Sequence, residues 1–354
     1  MFSPKFTISN NILRFISRIE ASKEIIENAP LVPAYEAKFR QEAIIRTVHH
    51  GTHIEGNQLD TGEVAAVLEG EDVNGKDRDV QEILNYRNVL KYIDKTQRSK
   101  LKTQNWEKHL LLVHKLTVEK VLRADAAGKY RKTQVVVKNS KTGEVSFKPP
   151  EAVDVPKLSK EFFLWLNSGE SESVHTVLAA GITHYVLAYI HPFVDGNGRT
   201  ARALATLVLF QRGYDIKKFF SIEEYFDRNA SRYYKTLQTV SNQKVESLSQ
   251  RDLTEWLEYF CEGLAEELAK VKERVQKLSL DIRLKGKTGQ IVLSERQMKL
   301  VEYIETYGSI SNKQWRSLLK DFSDDTILRD LKDLQKKGLI KKKGSTKGAV
   351  YILK

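Results

Sequence analysis

The sequence predicts a mainly α protein: a helical bundle interrupted by one β-hairpin and followed by a small winged helix-turn-helix domain. Three observations lead there. Apolar residues three and four apart mark helices over 36–50, 79–94, 104–122, 155–167, 173–190 and 198–212, with a long charged amphipathic helix over 252–283. Between 130 and 150 that period gives way to a β-branched run at 135–137, a Lys-Thr-Gly turn, a second short alternation and Pro149-Pro150 as a stop. Near the C-terminus three short helical patterns precede two apolar strands flanking GSTKG, the order of a winged helix-turn-helix.

Helix ends can be read from their caps. Gly213 closes the helix that starts at Gly198, and the three C-terminal helices open at Ser294 (with Gln297), Ser311 (with Gln314) and Ser323. Gly308 and Gly338 end two of them, and KGKTGQ (285–290) reads as a linker. The resulting division is 1–100, an N-terminal helical region; 101–250, a core; 251–290, a connecting helix and linker; and 291–354, the winged unit.

Composition sets the bounds. The chain has 354 residues, 41% of them apolar and 29% charged, which describes a folded globular protein rather than a disordered one. Without a targeting pattern or an apolar run of membrane-spanning length, the expected location is cytoplasmic. The single cysteine, Cys261, excludes an internal disulfide framework and a cysteine-zinc cluster. The net charge is +12, and from residue 282 onward 17 Lys and Arg stand against 8 Asp and Glu, so most of the excess lies in the C-terminal unit.

The stretch HPFVDGNGRTAR, 191–202, concentrates polar groups beyond what a core segment needs. Pro192 makes a helix boundary at His191, and a second helix begins at Gly198. Gly196, Asn197 and Gly198 thus sit at a helix N-terminus, where unpaired N–H groups and the helix dipole favour an anion. Arg199 and Arg202, three apart, can add charge-assisted bonds, which makes a polyphosphate cradle. Asp195 would repel phosphate unless Mg²⁺ lies between them. His191, with an ordinary pKa of about 6.5, suits a general base toward a hydroxyl, and Phe193 is expected to anchor the loop in the core.

At all eight specified identities the stretch resembles the Fic (Fido) family motif, His-x-Phe-x-Asp/Glu-Gly-Asn-Gly-Arg-x-x-Arg. The resemblance implies a Fic-type helical bundle that transfers AMP from ATP to a Ser, Thr or Tyr hydroxyl of a protein, itself included. His191 would deprotonate the hydroxyl, Asp195 bind Mg²⁺, the Gly196, Asn197 and Gly198 amides hold the α and β phosphates, and Arg199 and Arg202 the outer phosphates. The hairpin at 133–147 looks like the family's flap: Thr133, Gln134, Val135 and Val136 would pair with an extended target segment, and Val137, Lys138 and Asn139 would lie near the nucleotide. YFDRNASRYYKTL resembles the adenine-side helix, with Tyr233 first for a base contact, then Asn229 and Asn242. A homodimer would be in keeping with the family.

Upstream, Glu55-Gly56 in GTHIEGNQLD matches the second half of the family's inhibitory motif, Ser/Thr-x-x-x-Glu-Gly/Asn. Gly51 stands where the hydroxyl residue is expected, and Thr52 follows it. The implied role is autoinhibition, with Glu55 pairing with Arg202 and blocking the outer phosphate. The same residue could instead orient water to remove AMP from a modified protein.

Other stretches invite less. GEDVNGKD (70–77) approaches a phosphate loop but has Asp77 in place of the hydroxyl and no preceding strand. His49, His50 and His53 lack zinc spacing and read as solvated or capped, and His184 as a core histidine. In the winged unit the third helix starts acidic, while Lys336, Lys337, Lys341, Lys342, Lys343 and Lys347 gather at its end and on the wing. DNA phosphate contact, a solvated wing and recruitment of a protein target stay open, as does a DNA-binding regulator whose Fic-like part senses nucleotide.

Overall fold

The computed structural model describes residues 2–98, 105–138, 145–286, 293–344 and 349–353. The chain divides into two compact units, residues 1–24, 43–216 and 220–270 forming one and 25–42, 217–219 and 271–354 the other. The boundary expected at residue 100 therefore separates no units. The second unit also begins within the helix 254–286 rather than after a linker at 290, and it includes short pieces from far upstream. Residues 287–290 of the expected linker lie outside the described residues.

The helices of the first 286 residues are α1 (Asn10–Glu27), α2 (Pro33–His53), α3 (Thr61–Glu69), α4 (Asp77–Arg98), α5 (Trp106–Thr117), α6 (Val155–Leu166), α7 (Gly169–Ser173), α8 (Thr176–Ile190), α9 (Asn197–Gln211), α10 (Ile222–Arg228), α11 (Ala230–Ser241) and α12 (Thr254–Gly286). None in the described residues is long and apolar enough to cross a membrane.

In the first unit α8 and α9 form the central pair, with α4 and α5 packed on α9 and α6 on α8. Their composition explains the position. In α8 nearly every residue from Val177 to Leu187 is buried, and α9 is buried from Arg199 to Leu209, so neither helix has a polar face to give to water. The motif lies in the loop that joins them.

Helix α5 ends at Thr117, short of the expected 122. Asn85 of α4 explains the stop: its Nδ2 donates to the carbonyls of Thr117 and Glu119 at 3.1 and 2.8 Å, so the chain need not continue helical to satisfy them. The hairpin is also shorter than expected. Strands β1 (Val137–Lys138) and β2 (Val145–Phe147) pair antiparallel, Val137 opposite Phe147, whereas residues 133–136 pair with no strand.

In the second unit α13 (Glu295–Tyr307), β3 (Ile310–Ser311), α14 (Asn312–Leu318), α15 (Asp324–Lys336), β4 (Ile340–Lys343) and β5 (Val350–Leu353) follow in order, the sheet running β3-β5-β4. Both capping pairs form, Ser294 with Gln297 and Ser311 with Gln314. Gly308 and Gly338 take the left-handed backbone that ends their helices. Trp315, Ile327, Leu331 and Tyr351 fill its core, joined by Ala34 at the start of α2.

Candidate active site

His191 closes α8 in the left-handed region, φ 51°, its N–H bonded to the Leu187 carbonyl. For a residue with a Cβ this backbone is uncommon and needs surrounding support. The ring Nδ1 lies 3.3 Å from the Ala188 carbonyl, which can only accept, so the proton sits on Nδ1 and Nε2 keeps its lone pair. Burial pulls the His191 pKa below 6.5, with the Arg131 cation adding to it and the Ala188 contact, Glu55 and Asp195 opposing. The imidazole is neutral at pH 7.

The loop that follows is held from beneath. Phe193 is fully buried and lies parallel on the His114 ring, centroids 3.6 Å apart. The Asn197 side chain exchanges two 2.9 Å bonds with the Phe193 backbone and closes the turn. His114 accepts from the Gly128 N–H at Nδ1 and donates from Nε2 to the Asp195 carbonyl at 3.0 Å. That bonding fixes a neutral tautomer, and burial pushes its pKa from 6.5 down to about 4.

His114 thereby makes the fold acid-sensitive. The unfolded chain takes up the proton first, so stability is intact above 6.5 and is lost as the pH falls from 6.5 towards 4. The loss is roughly 3 kcal/mol by linkage. Urea midpoints measured between pH 7 and 4.5 should fall more steeply for the native chain than for His114→Gln; equal slopes would refute this.

Helix α9 opens at Gly196, φ 74°, and no side chain caps it, unlike α3, α5, α10 and α11. Arg199 and Arg202 of its first turns are almost wholly buried. The Arg199 Nη1 is 3.1 Å from Glu82 Oε1, and Arg202 Nη2 donates to Glu55 Oε1 at 2.8 Å and to the Gly51 carbonyl at 2.9 Å. Among the described residues Arg202 Nε and Nη1 meet no acceptor with good hydrogen-bond geometry, although the Tyr86 and Tyr233 hydroxyls lie near the guanidinium. Burial works against the Arg202 charge, but the Glu55 carboxylate and surrounding tyrosines hold its pKa above the ordinary value. The Glu55 carboxylate lies so near Gly198 that a Cβ there would collide with Oε1. Asp195 is half exposed; its Oδ1 accepts from the Gly196 N–H and its Oδ2 from Arg78 at 3.2 Å.

Gly51 is explained by packing. A Cβ would stand 2.5 Å from the Tyr86 ring, which is buried with its hydroxyl donating to Glu223 at 3.1 Å. Thr52 does not replace the missing hydroxyl, because it bonds back to the Val48 and His49 carbonyls. Gly51→Ser should therefore destabilise the fold by about 1–3 kcal/mol, the usual cost of overpacking, read as a lower urea midpoint. An unchanged midpoint would show that the Tyr86 ring moves freely.

Three expected contacts are corrected. Tyr233 is 2% exposed and its hydroxyl is 2.9 Å from His184 Nε2 inside the core, so its ring is not offered to a ligand. The exposed tyrosine is Tyr234, whose hydroxyl donates to the Ile54 carbonyl at 3.2 Å. Asn229 and Asn242 cap opposite ends of α11, about 20 Å apart at 1.5 Å per residue, so one base cannot touch both. Asn242 shares a face with Tyr234 and Gln238, and Gln238 Nε2 reaches the Ser146 carbonyl of β2 at 3.4 Å. Gln134 is exposed, but its side chain is engaged at the hairpin base: its Nε2 donates to the Pro149 carbonyl at 3.0 Å and its Oε1 accepts from Arg131. Val136 is exposed, Val135 and Val137 are half-buried, Thr133 offers its carbonyl to Arg131, and Asn139 lies outside the described residues.

Residues that sequence reasoning missed are Arg78, Glu82, His114, Arg131 and Tyr234. Each stands in an unremarkable helical or loop context, and only its partners give it meaning. Two of the three histidines of α2 have a carboxylate partner too: His50 and His53 both meet Asp227, at 2.7 and 2.9 Å.

With this geometry in hand, residues 103–209 match the Fic/DOC family. The chain carries a Fic/DOC domain. It is 37% identical over 177 residues to "Protein adenylyltransferase Fic" of Drosophila grimshawi, covering 49% of this chain and 35% of that protein. With the Culex quinquefasciatus protein of the same name it shares 33% over 199 residues, 56% of this chain and 38% of that one. The chain thus spans about a third of the length of these relatives. A Fic family protein from Desulfovibrio desulfuricans G20 has the same fold, with TM-score 0.66 and 24% identity over 100% of this chain and 98% of that one. Fic-1 from C. elegans aligns with TM-score 0.58 and 22% identity over 75% of this chain and 72% of that one. The Fic/DOC domain contains His191, the loop, both arginines, the hairpin and Arg131, whereas Glu55, Arg78, Glu82 and Tyr234 lie outside the matched residues.

Proposed function

We propose that the chain is an autoinhibited protein adenylyltransferase that moves AMP from ATP to a hydroxyl of a protein target, itself included. The observation that carries this is the meeting of an uncapped helix N-terminus, two buried arginines and a neutral imidazole with a free Nε2 within one loop. The α9 amides and Arg199 and Arg202 hold the phosphates. His191 Nε2 takes the proton as the hydroxyl oxygen bonds to the α-phosphorus, and the bond to the β-phosphate breaks to release pyrophosphate.

The donor set fits Mg²⁺. Among the described residues no group of three metal-ligating side chains exists, but this ion commonly takes one or two carboxylates with phosphates and water. Asp195, half exposed, would hold it once Arg78 releases Oδ2. Bound there, the ion would neutralise charge between the carboxylate and the phosphates.

Tyr234, Gln238 and Asn242 form the adenine side of this reading, and the hairpin edge at Val136 and Val137 the target side. Glu55 is the brake, since it occupies both Arg202 and the space against Gly198. The order α13-β3-α14-α15-β4-β5 supports a winged helix-turn-helix, and the exposed run Lys341–Lys343 supports contact with DNA phosphate, while Asp324 and Asp325 at the start of α15 favour a protein partner over base reading. Lys347 of the expected wing lies outside the described residues.

Incubation with labelled ATP and Mg²⁺, followed by intact-mass measurement on the native, Glu55→Gly and His191→Ala chains, tests the reading. An added mass of one AMP in the Glu55 variant is expected. Its absence there, with any protein target supplied, would overturn it.

A further inference from the structure

Arg131 is 3% exposed, yet among the described residues it makes no ion pair. Five oxygens surround its guanidinium instead, and none is a carboxylate. Nε donates to the His191 carbonyl at 2.8 Å; Nη1 to the Thr133 carbonyl at 3.3 Å and Gln134 Oε1 at 3.2 Å; Nη2 to the Pro150 carbonyl at 2.5 Å and the Ile190 carbonyl at 3.5 Å. Its own N–H donates to the Pro192 carbonyl at 2.9 Å. Although the Glu151 charge partly offsets burial, a buried cation whose hydrogen bonds all go to neutral acceptors is costly, and an apolar residue of similar size would fill the space more cheaply. Burial does pull its pKa down.

What the arrangement secures is geometric. Thr133, Gln134 and Pro150 are the two roots of the hairpin, and Ile190, His191 and Pro192 are the turn whose left-handed φ aims the imidazole. Gln134 extends the clamp by donating to the Pro149 carbonyl, which ties one root to the other. The strained backbone of His191 is thus held through its carbonyl by the group that sets the hairpin's base.

We propose that Arg131 is a positioning residue that fixes the hairpin roots to the backbone of His191, so that a target strand paired on the hairpin presents its hydroxyl at a set distance from Nε2. The inference rests on the transferase reading, but two of its consequences do not need turnover. Lysine at 131 keeps the charge and offers a single tetrahedral ammonium in place of a planar fork, so it can serve only part of the acceptor set.

The test uses Arg131→Lys and Arg131→Gln in the full chain, each with and without Glu55→Gly. In the Glu55→Gly background, kcat for transfer should fall about 10- to 100-fold in both, as expected for misplaced reacting groups. Affinity for ATP with Mg²⁺, measured by calorimetry, should stay within about twofold because the phosphate groups lie elsewhere. Amide exchange at 133–138 and 145–148 should speed up, and the ¹⁵N signals of His191 should show mixed tautomers. Native kcat with native exchange and a single tautomer would overturn the proposal, as would a parallel collapse of melting temperature, nucleotide affinity and rate, which marks a merely structural role. If Glu55→Gly alone transfers nothing, the transferase reading fails, and the exchange and ¹⁵N signals still decide whether Arg131 couples hairpin to histidine.

Discussion

Glu55→Gly is expected to raise AMP transfer with ATP and Mg²⁺ by on the order of 10²-fold, equivalent to about 2.7 kcal/mol of barrier. Two contacts set the size of the effect. The carboxylate stands against Gly198, at the N-terminal amides where phosphate would approach, and it takes Nη2 of Arg202 at 2.8 Å. Removing it clears the space and frees a buried guanidinium whose Nε and Nη1 meet no well-placed acceptor among the described residues. The apo protein should become less stable, since taking one partner from a buried pair leaves an uncompensated charge; the partial exposure of Glu55 keeps the loss below the 3–5 kcal/mol of a fully buried pair. Nucleotide phosphates restore the missing negative charge, so saturating ATP should raise the melting temperature of the variant more than that of the native chain. Equal labelling of the two proteins, measured by intact mass, would falsify the brake.

His191→Ala in the Glu55→Gly background should lower transfer by about 10²–10⁴-fold, the contribution of a positioned base, while leaving nucleotide affinity nearly intact. The separation follows from geometry: the proposed phosphate contacts belong to α9 and its arginines, and the imidazole to the last turn of α8. The pH profile carries a second signature. The reactive form is the neutral ring and its pKa lies below 6.5, so the rate should be level around pH 7 and fall only at lower pH, as the ring takes up a proton. Glu55 raises that pKa, so its removal should move the acid limb lower still. A His191 variant that transfers at the parent rate, or a limb above pH 6.5, would exclude the imidazole as base.

Local rules of the chain made much of this legible before any tertiary structure. Capping pairs at Ser294 and Ser311, the stop glycines 308 and 338, and the helix break at His191-Pro192 follow from backbone hydrogen bonding and dihedral preference over a few residues. Those forces act wherever the segment is placed. The loop 191–202 was readable for the same reason: the anion site proposed there rests on consecutive amides and on side chains three apart.

What sequence by itself determined, then, was the order and type of the elements and the chemistry of the loop between α8 and α9. Only the tertiary structure decided which polar groups are buried and against what. It turned Tyr233 inward and left Tyr234 outside, drew Gln134 into the hairpin's base, set Glu55 on Arg202, gathered five oxygens around Arg131, and placed Ala34 in the core of the C-terminal unit. Each outcome depends on desolvation and packing between segments distant in sequence, and on the tertiary contacts that override local preference, so no window of neighbouring residues contains it.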